Sequence, residues 1–205
     1  FLYNTLDTIV WLAEDCKTDE VIEITKALSR FFRISLSRGH EWITVKQEME
    51  HVESYLFIQQ VRYRDILNYE VAYDPQMAET PCLKLILQPI VENAIYHGIK
   101  NKRGRGHLSI GGKIEGGRMI FTISDDGIGM TPARLAEVQQ ELDAADRPEE
   151  LVSVYGLYNV SKRLKLYYNY DVIFKIESIY RKGTKITLNV PVIYSNENLS
   201  RENDA

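Results

Sequence analysis

The hydrophobic pattern of this chain changes its period near Tyr63. Before that residue, apolar side chains such as Val21, Ile24 and Leu28 recur three and four positions apart, which is the spacing of one face of an α-helix. After it, stretches such as residues 66–73 alternate between apolar and polar side chains, which is typical of a half-buried strand. The pattern predicts an α+β fold, with a helical segment followed by a segment that contains a sheet.

Three helices are predicted in the first segment, residues 1–63. Two of them cover about residues 1–15 and 18–37, and Gly39 supplies a C-terminal stop for the second. The third begins at Thr44, because Thr44 and Gln47 have the spacing of a capping box, in which two side chains satisfy free backbone N–H groups. Amphipathic helices in series predict a helical hairpin or bundle, and we expect a homodimer through these helices.

The second segment, residues 64–192, is predicted to be a sandwich of a mixed sheet with helices on one face. Asn169 tolerates the left-handed conformation and is expected to end the last helix. Strands are predicted over 66–73, 107–114, 118–125, 172–179 and 184–192, and helices over 82–99, 132–145 and 156–169. The polar tail, residues 193–205, is predicted to be disordered.

Composition excludes several classes of partner. The formal net charge of −4 provides no broad basic field, so direct binding to nucleic acid or to an anionic membrane is not expected. Cys16 and Cys82 lie far apart and match no metal-binding spacing, which favours free thiols in a reducing compartment. No apolar run is long enough to span a bilayer, so any membrane part of the protein is expected upstream of this stretch.

A short motif follows the strand predicted over 118–125. Asp125 stands at the strand end, and Gly127 and Gly129 follow in the pattern D-x-G-x-G. Glycines allow a ligand to approach the main chain closely, and a carboxylate at a strand end can accept a hydrogen bond from an exocyclic amine. An ordinary Asp-Gly turn would also account for these residues.

A second motif lies on the apolar helix predicted over 82–99. Asn93, Tyr96, His97 and Lys100 share one face of it. An amide oxygen is a hard ligand that suits Mg²⁺, which keeps water and substrate phosphates in its shell, and Lys100 could neutralise phosphate. A satisfied polar patch at a helix end is the alternative interpretation.

Together the two motifs, in the contexts LQPIVENAIYHGIK and TISDDGIGM, resemble the N box and first glycine box of the Bergerat ATP-binding fold. Histidine kinases, gyrase B, the Hsp90 chaperone and MutL share this fold. YGLYNVSKRL resembles the second glycine box and KGTKITLNVP the last box. FLYNTLDTI, ISLSRG and YLFIQQVRY further resemble sensor histidine kinases of the HFLYN (LytS/YesM-like) type, and the resemblance runs from Phe1 to about Val192.

The resemblance implies a role for each matching residue. Asn93 would be the Mg²⁺ ligand, Asp125 would hold the adenine amine, and Thr184 would assist adenine binding through water. Residues 131–155 would form a lid over ATP, with residues 143–154 mobile until nucleotide binds. The nucleotide-binding residues implied are Asn93, His97, Lys100, Asp125, Gly127, Gly129, Gly156, Leu157, Arg163 and Thr184.

The resemblance also implies the activity. The chain would be the catalytic part of a two-component sensor histidine kinase with ATP and Mg²⁺ as cofactors, in the cytoplasmic portion of a bacterial membrane receptor. Its partner would be a response regulator, often of the AraC type, whose aspartate receives the phosphoryl group. In this type the phosphoacceptor histidine immediately precedes the Phe-Leu-Tyr-Asn run, here Phe1. Asn4, one helical turn from that histidine, would assist the chemistry beside Asn93.

Some positions depart from the family pattern. Val154 stands where an extra glycine is usual, and its stiff side chain would limit movement of the lid. Tyr96 stands where many kinases have a basic residue, so phosphate neutralisation is expected to pass to Lys100. Asp126 stands where asparagine is common, and it is expected to add negative charge near the nucleotide.

The same residues allow other interpretations of the phosphoacceptor and of the activity. As phosphoacceptors, His40 lies in a turn and His107 precedes a strand, and a solvated helix face accounts for His51. An anti-sigma-factor serine kinase has a similar N box but lacks the helices of residues 1–63. A nucleotide-binding dimerisation module without kinase activity would keep the fold but not the chemistry.

Overall fold

A computed structural model of the chain describes residues 1–36, 41–143 and 155–193. The first part of the chain forms helices α1 (Leu2–Glu14), α2 (Thr18–Ser35) and α3 (Val45–Arg62), with a short strand β1 (Trp42–Thr44) before α3. The capping box is present, since Gln47 N–H donates to Thr44 Oγ1 and Thr44 N–H donates to the Gln47 side chain. The predicted stop at Gly39 lies outside the described residues.

The elements that follow α3 alternate between strands and helices. They are β2 (Leu67–Tyr73), β3 (Pro81–Leu83), α4 (Gln88–Asn93), a π-helical turn (Ala94–Ile99), β4 (Gly106–Glu115), β5 (Arg118–Asp125), α5 (Pro132–Asp143), α6 (Tyr155–Tyr167), β6 (Ile173–Ile179) and β7 (Gly183–Pro191). Asn169 follows α6 with φ 50°, as its left-handed tolerance predicts. No helix among these described elements is long and apolar enough to cross a membrane.

Five strands form one mixed sheet in the order β2-β4-β5-β7-β6. β2 and β4 are parallel, and the other neighbours are antiparallel. Along β5, buried residues alternate with half-exposed ones, so one face of the sheet is covered and the other meets solvent. Met119, Phe121 and Ile123 point into a core that also contains side chains of α3, α4 and α6. The predicted α+β sandwich with helices on one face is confirmed.

The predicted helix over 82–99 is wrong in its first part. Residues Pro81–Leu83 form β3, which pairs antiparallel with β1, and the helix begins only at Gln88. Leu85 has φ 61°, which no right-handed helix allows, and Pro89 takes a first-turn position, where its missing N–H costs nothing. Periodicity did not reveal this boundary because a buried strand and a buried helix are both continuously apolar.

The expectation that His51 lies on a solvated helix face is wrong. It lies on α3 and is fully buried rather than on a solvated face, because α2 covers this side of the helix. Its Nε2 lies 2.8 Å from Ser35 Oγ, and its ring stacks on Phe31 with centroids 4.5 Å apart. Burial lowers the pKa of His51 to about 4, with a further contribution from the charge of Lys84, so the imidazole is neutral at pH 7.

Candidate functional site

A cavity of about 260 Å³ opens where α4 and its π-helical turn meet the end of β5 and helix α5. Much of its lining is apolar, contributed by Ile90, Ile123, Met130, Val138, Leu157 and Ile186. The predicted site residues that share it are Asn93, His97, Asp125, Gly129, Leu157 and Thr184. A mostly apolar cavity with few polar groups suits a flat heterocycle held by directed hydrogen bonds.

Asp125 is the buried acid of this cavity. It is the last residue of β5, its exposed fraction is 7%, and Gly127 N–H donates to its Oδ1 over 2.8 Å. Burial raises the pKa of Asp125 to about 6, although the backbone N–H groups of Gly127 and Thr184 oppose this shift. At neutral pH the group is therefore an ionised, largely desolvated acceptor, which binds an amine donor more strongly than a solvated carboxylate would.

Two glycines allow the π-helical turn to approach Asp125. A methyl group at Gly98 would lie 2.6 Å from Asp125 Oδ1, and one at Gly127 would lie 2.4 Å from the Gly98 carbonyl carbon. Gly129 adopts φ 60°, and a side chain there would meet the Ile179 carbonyl oxygen. Gly127 therefore does not line the cavity but sets its shape, and Gly98 is a residue whose role sequence reasoning did not assign.

Asn93 is the last residue of α4. Its Nδ2 donates to the Pro89 carbonyl over 2.7 Å, and within the described ranges its Oδ1 has no hydrogen-bond donor, so it can accept or ligate. An open cleft of about 270 Å³, which shares Asn93 and His97 with the cavity, reaches the first residues of α6. There Gly156 lies close to Asn93, since a methyl group at Gly156 would be 3.5 Å from Asn93 Nδ2. A helix start beside a free amide oxygen suits an anion and its counter-cation.

Besides Gly127 and Gly156, three predicted site residues do not line the cavity. Lys100 Nζ donates to Tyr63 Oη over 2.7 Å and lies 4.2 Å from the ring centroids of Tyr63 and Tyr96, so it bonds to the residue that follows α3. Arg163 Nη2 donates to Glu41 over 2.9 Å. Asn4 lines a separate surface cleft on α1. The expected phosphate-neutralising side chain, Lys100, therefore contacts Tyr63 instead of the cavity.

Asp126 also differs from expectation. It does not line the cavity, and its carboxylate pairs with Lys102 over 2.8 Å and accepts the His107 N–H over 2.7 Å. Burial alone would raise the pKa of Asp126, but the hydrogen bonds from Lys102 and His107 outweigh it and hold the pKa below its usual value. The predicted extra negative charge is thus neutralised outside the cavity.

Ser178 is a site residue that sequence reasoning missed. Its Oγ accepts the Met130 N–H over 2.8 Å, donates to the Gly183 carbonyl over 3.1 Å and lies 2.9 Å from Thr184 Oγ1. Because the single Ser178 proton goes to Gly183, the Thr184 hydroxyl donates to Ser178 and keeps its own lone pairs free. A lone serine on an edge strand carries no signal in the sequence that would have revealed this role.

The predicted lid is described only in part. Helix α5 covers 132–143 and contributes Arg134 and Val138 to the cavity wall. The predicted mobile segment falls almost wholly on residues 144–154, which lie outside the described residues, so its closure stays a prediction.

No group of three or more histidine, cysteine or acidic side chains in the described part of the chain is arranged to hold a metal ion. Asn93 Oδ1 stays the predicted protein ligand for a cation at this site. Its remaining ligands would be phosphate oxygens and water, which is the coordination that Mg²⁺ prefers beside nucleotides.

Comparisons with known proteins agree with this geometry. A family model described as histidine kinase matches residues 1–67, and one described as histidine kinase-, DNA gyrase B- and HSP90-like ATPase matches residues 79–193. The chain is 28% identical over 191 residues to the sensor histidine kinase YesM of Bacillus subtilis strain 168. It is 31% identical over 194 residues to the sensor histidine kinase YpdA of Escherichia coli K12.

Both alignments cover 93% of this chain but 31% and 32% of the relatives, so the chain spans about a third of their length. Among solved structures, the histidine kinase domain of the blue-light activated kinase EL346 from Erythrobacter litoralis is similar, with a TM-score of 0.53 at 13% identity. That match covers 84% of this chain and 75% of the other, and at such identity it shows the fold alone.

Proposed function

Because the chain belongs to the family of histidine kinase-, DNA gyrase B- and HSP90-like ATPases, we propose that it is the catalytic portion of a two-component sensor histidine kinase. One observation carries the proposal: a buried carboxylate, Asp125, shares a cavity with the free amide oxygen of Asn93, beside the start of α6. These are the groups that an adenine amine, a cation and a phosphate chain require.

In the proposed complex, Asp125 accepts a hydrogen bond from the exocyclic amine of adenine. The Thr184 hydroxyl, oriented by Ser178, faces the same cavity and assists directly or through water. Apolar side chains such as Ile123 and Ile186 cover the faces of the base. Guanine offers a carbonyl where adenine has the amine, so the carboxylate of Asp125 selects against it by charge repulsion.

The phosphate chain extends along the cleft toward α6. Gly156 allows the start of this helix to approach Asn93 closely, and His97 lies at the junction of cavity and cleft. Mg²⁺, when bound, supplies charge neutralisation between phosphate oxygens. Asn93 Oδ1 would hold that ion, and Gly127, Gly129 and Leu157 would shape the cavity around the nucleotide.

The helical part supplies the other half of the reaction. We assign residues 1–63 to dimerisation and phosphotransfer, and residues 64–192 to ATP binding. The phosphoacceptor histidine would immediately precede Phe1, with Asn4 one turn away to orient its imidazole. A response regulator, of the AraC type in our proposal, would accept the phosphoryl group on an aspartate, and the chain would lie on the cytoplasmic side of a bacterial membrane.

The other two readings have less support. Helices α2 and α3 share a core with the sheet, and α1 packs against these two helices. A compact serine kinase of the anti-sigma-factor class lacks all three helices. A binding module without kinase activity would not need to retain both the free Oδ1 of Asn93 and the buried acid of Asp125.

The three readings are separated by labelling with [γ-³²P]ATP. A protein that extends upstream through the residue before Phe1 should acquire acid-labile, base-stable label, which is typical of phosphohistidine. Replacement of that preceding residue by glutamine should abolish the label. Acid-stable label would indicate the serine kinase, and bound nucleotide without label would indicate the binding module.

A further inference from the structure

Glu48 is a charged side chain of α3 that is fully buried although it lies outside the cavity. Its carboxylate accepts three backbone hydrogen bonds from successive residues. Leu85 N–H donates to Oε2 over 2.9 Å, and the N–H groups of Ile86 and Leu87 donate to Oε1 over 2.8 and 2.9 Å. A buried carboxyl group that accepts three hydrogen bonds is held in one place, because loss of any donor would leave a buried acceptor unsatisfied. Burial raises the pKa of Glu48, and the three backbone N–H groups oppose this shift.

The three donors immediately precede the helix that carries Asn93. Leu87 is the N-cap residue of α4, whose first turn leaves N–H groups without partners inside the helix. The N–H groups of Leu85, Ile86 and Leu87 donate to Glu48, which lies 37 to 39 positions earlier in the chain. Glu48 therefore fixes the place where α4 begins relative to α3.

The turn that Glu48 holds is strained. Leu85 has φ 61°, a conformation that a leucine adopts only when its surroundings impose it. Its N–H is one of the three that Glu48 accepts. The hydrogen bond thus offsets the cost of the left-handed residue and places the next two N–H groups in line with the same carboxylate.

Helix α3 also holds the other end of the same segment. Lys100, directly after the π-helical turn, donates to Tyr63 just beyond the end of α3 and lies over its ring. The segment from residue 85 to residue 100, with Asn93 at its centre, is therefore attached to the α3 region at both ends. A displacement of α3 would move Asn93 relative to Asp125, which belongs to the sheet.

We propose that Glu48 is a positioning residue for the proposed reaction, because its hold on residues 85–87 sets where Asn93 Oδ1 meets the cation of the bound nucleotide. This inference rests on the proposed function. It assigns Glu48 no contact with nucleotide or metal, since its effect passes through α4. Asp125, the acid at the adenine end of the proposed site, belongs to β5 and not to the segment that Glu48 holds.

The test variant is Glu48→Gln. Glutamine keeps the shape of the glutamate side chain, but its NH₂ group replaces one acceptor oxygen and cannot accept from the backbone N–H groups. The matched control is Glu50→Gln, the same chemical change two positions along α3 on its exposed face. In calorimetric titrations, Glu48→Gln should weaken ATP binding in Mg²⁺ about tenfold or more, as loss of support behind a metal ligand does. With EDTA its ATP affinity should stay within about twofold of wild type, and Glu50→Gln should match wild type in both conditions.

A double-mutant cycle with Asn93→Ala tests whether Glu48 acts through the position of Asn93. Glu48→Gln should add little to Asn93→Ala in Mg²⁺, because the group that it positions is already absent. Equal loss of ATP binding with and without Mg²⁺ would mean general destabilisation and overturn the inference, as would full additivity. If wild type bound no ATP at all, the proposed function itself would fail, which is a distinct result.

If Glu48→Gln does not fold, hydrogen exchange of the wild-type chain answers the same question. Coupling is reciprocal, so Mg²⁺–ATP should slow exchange of the Leu85, Ile86 and Leu87 amides, whereas ATP with EDTA should leave them unchanged. Equal exchange at these three amides in both conditions would contradict a link between Glu48 and the cation site.

Discussion

At the scale of single residues, the proposed site depends most on Asp125, which is buried at the end of β5 and accepts the Gly127 N–H. Asp125 and the glycines after it were predictable because a strand end and a turn lie within a few positions of each other. The destination of Lys100 was not, since its partner Tyr63 is 37 positions away. Arg163 likewise pairs with Glu41 at a separation of 122.

The first prediction concerns the adenine amine. Asp125→Ala should weaken ATP binding by about 1.5–3 kcal/mol, the range of a hydrogen bond to a charged group. Titration calorimetry measures the change in affinity. The control is Asp126→Asn, because Asp126 is the adjacent acidic residue but pairs with Lys102 outside the cavity. Equal losses in the two variants would show that Asp125 has no specific role in binding.

The second prediction follows from the pKa of Asp125, which burial raises to about 6. An amine donor binds the ionised form, so ATP affinity should be constant above pH 7 and fall as pH drops through 6. At pH 5 about a tenth of the carboxyl groups remain ionised, which corresponds to about tenfold weaker binding. Asp125→Asn cannot titrate and corrects for protonation of the nucleotide. A wild-type profile parallel to that of Asp125→Asn would refute this dependence.

At the scale of elements, the strands and amphipathic helices were predictable from the spacing of their hydrophobic residues. The errors occurred where this spacing does not distinguish one structure from another. Residues 82–87 are apolar except for Lys84, so hydrophobic period alone could not distinguish their strand and turn from a helix. His51 was placed on the wrong face because the covering helix α2 comes from another part of the chain. The close contact of the π-helical turn with β5 also has no local signal, although Gly98 permits it.

The third prediction tests that contact. In Gly98→Ala, the new methyl group would lie 2.6 Å from Asp125 Oδ1, so the turn or the carboxylate must shift. Both the melting temperature and the ATP affinity should fall, because the displaced group, Asp125, is the one that we propose binds adenine. The control is Gly111→Ala on β4, where a methyl group would meet its nearest neighbour, the Ala72 carbonyl oxygen, at 3.9 Å. Unchanged ATP affinity in Gly98→Ala would argue against close packing at this point.

At the scale of the whole molecule, the helical segment and the sheet segment share one core. Met49, Val52 and Leu56 of α3 are buried in the same cluster as Phe121 and Leu188 of the sheet. The order of segments was predictable from the change in period, but this shared core was not, because packing between distant segments leaves no periodic trace. The proposed nucleotide cavity and helix α3 are thus joined through one packed core.

Titration calorimetry of the 205-residue chain with ATP and GTP, each with Mg²⁺ and with EDTA, tests whether this cavity is a Mg²⁺–ATP site. We expect ATP to bind with a clear preference over GTP, because Asp125 lines the cavity and would accept from an amine that guanine lacks at that position. We also expect Mg²⁺ to strengthen ATP binding in wild type but not in Asn93→Ala. Equal affinity for ATP and GTP, or an Mg²⁺ effect that survives in Asn93→Ala, would contradict the assignment of this cavity as a Mg²⁺–ATP site.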